Sequence, residues 1–156
     1  MDIEIREAGR KDMDVIWKAT TGTVWNDIPA EERSALDRAA FESHFRPRAE
    51  AIMTSEESAV LVAESADGSV VGYAIVGGTS SMLGPAPFGF LYDLWIAPEA
   101  RRQGVGRRLL ARAEQWCRGR GYLRIKLEVA ATNAGARALY ASEGFAEERL
   151  FLGKRL

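Results

Sequence analysis

The sequence predicts one α/β domain with its elements in the order β-α-α-β-β-β-α-β-α-β. Three observations carry this. Segments that alternate apolar and polar residues, or are continuously apolar, are interleaved with segments of helical periodicity. One strand pattern, "FGFLYDLWIA", runs into an amphipathic helix and then into another strand pattern, a strand-helix-strand crossover. The 156 residues, 47% of them hydrophobic, suffice for one core and contain no repeat, linker or low-complexity tract.

Taken in order, "IEIREA" alternates and predicts a strand over residues 3–7. Asp12 stands as the cap of a first helix whose apolar face carries Met13, Ile16, Trp17 and Ala19. A second helix is expected from about Pro29, with acids in its first turn and a break or kink at Pro47. Residues 59–78 read as a hairpin around "SADGS". "TSSMLGPAPFG" reads as a mobile loop, and residues 88–97, apolar on both faces, as the central strand. The next helix buries Val105, Leu109, Ala113 and Trp116, with Leu110 and Cys117 beside them, and ends at Gly119 or Gly121. "LRIKLEV" predicts a strand over 123–129, and "NAGARALYASEG" a helix capped by Asn133 and stopped by Gly144. "FAEERLFLGKRL" is expected to be one last strand. A sheet ending so leaves an apolar edge, which points to a homodimer; the alternative is a monomer whose edge Lys154 and Arg155 protect.

Twenty-one basic against 22 acidic residues give a net charge of -1, so no global field favours nucleic acid or an anionic membrane. No apolar run reaches the ~20 residues of a membrane helix, and the charged start is unlike a signal peptide. A lone cysteine excludes an intrachain disulfide and fits a reducing cytoplasm. No metal is expected. Cys117, on a buried helix face, is not read as a nucleophile, and His44 is read as a surface or packing residue.

"APEARRQGVGRRLL", residues 97–110, places four arginines and two glycines at the mouth of a helix. The first turn has free N–H groups and a partial positive charge. Gly104 and Gly106 remove side chains there, and Arg101, Arg102, Arg107 and Arg108 add positive potential, so a diphosphate suits the stretch. A strand-helix turn with solvated arginines fits it equally. Neither a triphosphatase loop nor a dinucleotide fingerprint is present: no Gly-Lys-Ser/Thr follows, and Leu109 stands where a third glycine belongs.

Arg101-Arg102-Gln103-Gly104-Val105-Gly106 after a central strand, followed by "NAGARALYASEGF", resembles the two motifs of the GCN5-related N-acetyltransferases, at family-like spacing. The resemblance covers nearly the whole chain. It implies a mixed, mostly antiparallel sheet of six to seven strands flanked by four helices, and a single N-acetyltransferase domain over residues 1–156. It implies acetyl-coenzyme A as co-substrate and direct transfer to a primary amine: a small amine, an aminoglycoside-like polyamine, an amino acid or a protein N-terminus. A non-catalytic acyl-coenzyme A-binding module is the rival reading. By resemblance, backbone N–H groups from Gln103 through Gly104, Val105 and Gly106 to Arg107 hold the pyrophosphate, with Arg101 and Arg102 touching it or fixing the loop. Backbone groups of Leu94, Trp95 and Ile96 face the pantetheine arm, and Asn133 touches the co-substrate or caps its helix.

Tyr140 matches the family's general acid. A tyrosine of pKa ~10 can protonate a thiolate of pKa ~8.5; packed in a core, it would only fill space. No Glu lies on the central strand, where family members often keep a base. Asp93 is its one acid, read as base, as a buried structural acid or as a ligand for the acceptor's ammonium group, and Tyr92 as able to order a water. Trp25 and Asp27, with Glu31 and Glu32, fall where the family forms its acceptor pocket; solvated helix-start acids are the commoner use of such residues.

Overall fold

The computed structural model describes residues 2–156. Five strands, β1 (Ile3–Glu7), β2 (Ser58–Ser65), β3 (Val70–Ser81), β4 (Gly84–Ile96) and β5 (Ile125–Leu127), form one sheet in chain order. β1 to β4 are antiparallel neighbours, and β5 joins β4 in parallel. Five helices accompany them: α1 (Met13–Asp27), α2 (Ala30–Arg33), α3 (Arg38–Met53), α4 (Val105–Gly119) and α5 (Ala134–Ser142). The sheet is thus mixed and mostly antiparallel, but has five strands rather than six to seven, and five helices rather than four.

Each sheet face buries its own cluster because side chains alternate along β3. Ala74 and Val76 pack with Val105, Leu109, Leu110 and Ala113 of α4. Tyr73 and Ile75 pack with Ile16 of α1 and Val62 of β2. Fully burying Leu109 or Leu110 contributes about 1.5–3 kcal/mol each. Cys117 belongs to the α4 cluster, where burial pushes its thiol up to about 11, too high for a nucleophile at neutral pH.

Local chemistry corrects several expectations. Asp12 does not cap α1. Its buried carboxylate accepts two bonds from the Arg6 guanidinium, at 2.8 and 2.9 Å, and one from the Gly9 N–H at 2.7 Å, tying β1 to the start of α1. Arg6 holds this carboxyl below the usual aspartate range, so the link stabilises the fold above that range and is lost as pH falls through the lowered value. The helix expected from Pro29 is split: α2 ends at Arg33, and Asp37 starts α3 by accepting the Ala40 N–H at 2.8 Å. α3 then continues through Pro47. The helical donor that proline removes is lost at an exposed turn, where water replaces it.

The expected mobile loop is the tip of the β3–β4 hairpin, turning at Met82 and Leu83. Pro85 and Pro87 are tolerated because β4 meets β5 only from Gly89 onward. β5 covers three residues instead of seven, and Leu123, expected inside, is exposed. The last strand is absent: residues 145–156 form no regular element. A three-residue neighbour offers too short a ladder, and side-chain ion pairs place the tail instead. Glu147 meets Arg137, Glu148 meets Arg124 and Lys126, and Arg155 meets Glu31 of α2.

Candidate active site

Gly104 precedes α4 with φ +80, and Arg102 adopts φ +62, so the loop curls with its amides turned inward. The first backbone bond that the helix draws from the loop runs from the Arg108 N–H to the Gly104 carbonyl, at 3.1 Å. Among the described residues, the N–H groups of Gln103, Gly104, Val105, Gly106 and Arg107 have no acceptor. Five free donors at a positive helix end have the geometry of an anion site.

The arginines divide their work. Arg101 donates from Nε to the Ile96 carbonyl at 3.1 Å, so it fixes the loop. The Gln103 side chain folds back onto the Glu99 carbonyl at 2.8 Å. Arg107 pairs with Glu143 beyond α5, at 2.8 Å, and Arg108 donates to the Ile3 carbonyl at 2.6 Å. Arg102 alone of the four has no partner among the described residues and is exposed. Gly106 has a second duty: a Cβ there would lie 3.0 Å from Leu139 Cδ2, so the missing side chain also lets α5 approach α4.

β4 supplies the next part. Its pairing with β5 stops at Leu91–Leu127, yet β4 runs on to Ile96. The Ala97 N–H bonds Val71 of β3, so by alternation Trp95 also spends its peptide groups on β3. Leu94 and Ile96 point theirs to the open edge, where Arg101 takes the Ile96 carbonyl. Of the three residues expected to offer free backbone there, Trp95 therefore does not.

One irregularity arranges the side chains. Ile75 pairs with Asp93 and Val76 with Leu91, which leaves Tyr92 as an extra residue, a β-bulge. Regular alternation would put Tyr92 and Asp93 on opposite faces. The bulge puts both on the α1 face: Tyr92 packs against the Ile16 cluster, and Asp93 Oδ2 accepts from the Tyr73 hydroxyl at 2.6 Å. Burial, opposed by the hydroxyls of Thr20 and Tyr73, raises the Asp93 carboxyl above the ordinary aspartate value, and the charge of Asp27 adds to the rise. Burial raises Asp27 as well.

Tyr140 is 9% exposed and rests edge-on against Phe145, ring centroids 5.7 Å apart. Burial, then the charges of Asp93 and Asp27, push its hydroxyl up to about 12, so it is protonated at neutral pH. Asp27, Asp93 and Tyr140 thus share one electrostatic neighbourhood, although they come from α1, β4 and α5. Neither carboxylate has an ion-pair partner among the described residues. Trp25 packs on Phe41 of α3 at 5.1 Å, with the Arg38 guanidinium 4.9 Å from its ring. Asn133 caps α5 through the Ala136 N–H at 3.1 Å. Glu31 is taken by Arg155, and Glu32 is exposed.

Sequence reasoning passed over Thr20 and Tyr73. The signal for Thr20 was present: Ile16, Thr20, Thr23 and Asp27 recur at helical spacing, a stripe that turns polar toward the end of α1. Tyr73 gave none, lying within a continuously apolar strand.

The Acetyltransferase (GNAT) family profile matches residues 20–145, from within α1 to Phe145. The chain belongs to this family. It is an N-acetyltransferase, and members of its family use acetyl-coenzyme A. It is 29% identical over 150 residues to the uncharacterized N-acetyltransferase YhfO of Bacillus subtilis, across 96% of this chain and 94% of that one. It is 34% identical over 92 residues to an aminoglycoside N(6')-acetyltransferase type 1 of Klebsiella aerogenes, across 58% of this chain and 60% of that one. The solved structure of AAC(6')-Iy with a coenzyme A bisubstrate analogue superposes with a TM-score of 0.70 at 20% identity, covering 100% of this chain and 99% of that one; this likeness shows the fold.

Proposed function

We propose that this GNAT acetyltransferase, one domain over residues 1–156, transfers acetyl from acetyl-coenzyme A directly to a primary amine of a polycationic, aminoglycoside-like acceptor in the cytoplasm. One observation carries the reading. A free-amide helix end and an open strand edge adjoin a site that holds two unpaired carboxylates and a protonated tyrosine. The unpaired carboxylates favour a cationic acceptor over a neutral or acidic one, and aminoglycoside acetyltransferases are among the relatives. For location, no helix among the described residues is long and apolar enough to cross a membrane.

The co-substrate supplies an acetyl group activated as a thioester. The amides of Gln103 to Arg107 and the Arg102 side chain hold its pyrophosphate, and the Leu94 peptide groups with the Ile96 N–H align its arm. Asn133 serves as helix cap. Asp27 and Asp93 attract the acceptor, and Trp25, packed on Phe41 of α3, is read as part of the acceptor side. The bound amine carries a proton, pKa ~10, that must leave before it attacks. Asp93 takes that proton, directly or through a water held by Tyr92, and its raised pKa suits it to the task. Tyr140 protonates the departing thiolate, and the second nitrogen proton, released as the amide forms, restores the tyrosine.

The test is thiol release from acetyl-coenzyme A against a panel of amines. The reading expects neamine-like polyamines to exceed amino acids and peptide N-termini in kcat/KM. A preference for peptides would overturn the acceptor class, and tight coenzyme A binding with no turnover on any amine would favour a non-catalytic binding module.

Arg102→Asn, which tolerates the left-handed backbone while removing the charge, is expected to weaken coenzyme A binding about tenfold, roughly 1.4 kcal/mol. Calorimetry reads this, and unchanged affinity would place the pyrophosphate elsewhere. Gly106→Leu would displace Leu139 and α5, so it tests packing as much as the anion site.

We propose further that the chain forms a homodimer. Leu150, Phe151, Leu152 and Leu156 are exposed, and β5 ends the sheet with no further strand on its edge; a second copy would cover both. Light scattering at micromolar concentration should give twice the chain mass. A concentration-independent monomer mass would remove the claim.

A further inference from the structure

Asp93 is held from behind by two buried side chains that the proposed transfer does not itself use. Tyr73 is fully buried on β3 and stacks on Trp95, ring centroids 5.8 Å apart. A phenylalanine would fill the same space. The hydroxyl needs a partner, because a buried polar group without one costs free energy. That partner is Asp93 Oδ2, at 2.6 Å. Thr20, 2% exposed on α1, lies beside the same carboxylate and the Tyr73 hydroxyl, and its side chain favours the charged form of Asp93. Two hydroxyls from different elements therefore converge on one carboxylate from the core side.

We infer that Tyr73 and Thr20 are positioning residues that fix the Asp93 carboxylate from within the sheet, so that its remaining lone pairs are presented to the acceptor amine. The inference rests on the reading of Asp93 as the base. The two hydroxyls also set when Asp93 is charged. Donors favour the ionised form, while burial and the charge of Asp27 favour the protonated one. The other titratable groups around it are Tyr92 on β4 and Tyr140 on α5. Without the donors Asp93 would be mobile and protonated over more of the working pH range.

Two readouts separate this role from packing and from the base reading. In the acceptor-free protein, the Asp93 carboxyl carbon is titrated by carbon-13 NMR. Tyr73→Phe is expected to move its midpoint up by about one unit, and Thr20→Val to move it the same way by less. With acetyl-coenzyme A and neamine, the acid limb of kcat/KM should follow the same shift, with kcat reduced about tenfold and folding intact by urea titration. Unmoved NMR midpoints in both folded variants would overturn the inference, whatever happens to the rate. Midpoints that move while the acid limb stays put would leave the two residues holding Asp93 but would overturn Asp93 as the base, and its positioning role with it.

Discussion

Tyr140→Phe is expected to slow acetyl transfer by roughly ten- to ten-thousand-fold, the upper part being the range of a positioned general acid. The substitution keeps the ring, and with it the edge-on contact to Phe145, so folding and coenzyme A affinity should stay near wild type. Its hydroxyl, pushed up to about 12, carries a proton across the whole neutral range. A basic limb below about pH 10 in the wild-type profile therefore belongs to another group. Steady-state thiol release measures the rate, and calorimetry the affinity. Wild-type turnover in the variant would return Tyr140 to the core as a packing residue.

Asp93→Asn is expected to lower kcat by roughly a hundred- to ten-thousand-fold. The amide oxygen can still accept from Tyr73, so the sheet should survive. In the wild type the rate falls as pH drops through the Asp93 pKa, because only the ionised carboxylate accepts a proton. Burial raises that pKa, so this acid limb should lie above the pH at which an ordinary aspartate titrates. The variant should lose the limb. A rise in KM with kcat preserved would instead identify Asp93 as the site of the acceptor's ammonium group.

Features that depend on short stretches of chain were legible in the amino-acid pattern. Gly104, Gly106 and their arginines lie at the start of α4 as read, because glycine backbone and a helix end are local properties. Asn133 and Gly144 bound α5 for the same reason; of the stripe Val105, Leu109, Ala113 and Trp116 the first three are buried as the period requires, Trp116 is half-buried, and Leu110 and Cys117 are buried beside them. Features that depend on neighbours distant in the chain were not legible there. The pairing of β3 with β4 inserts Tyr92 as a bulge, and only that turns Tyr92 and Asp93 to one face. The partners of Arg101, Arg107 and Arg108 come from three other segments, which leaves Arg102 open where the sequence showed four equal charges. The tail keeps a strand-like alternation but forms no strand, since a strand needs a ladder partner and β5 offers three residues. Asp27, Asp93 and Tyr140 stand 47 to 113 positions apart in the chain. Their shared field arises from the tertiary packing of separate elements, which no local pattern encodes.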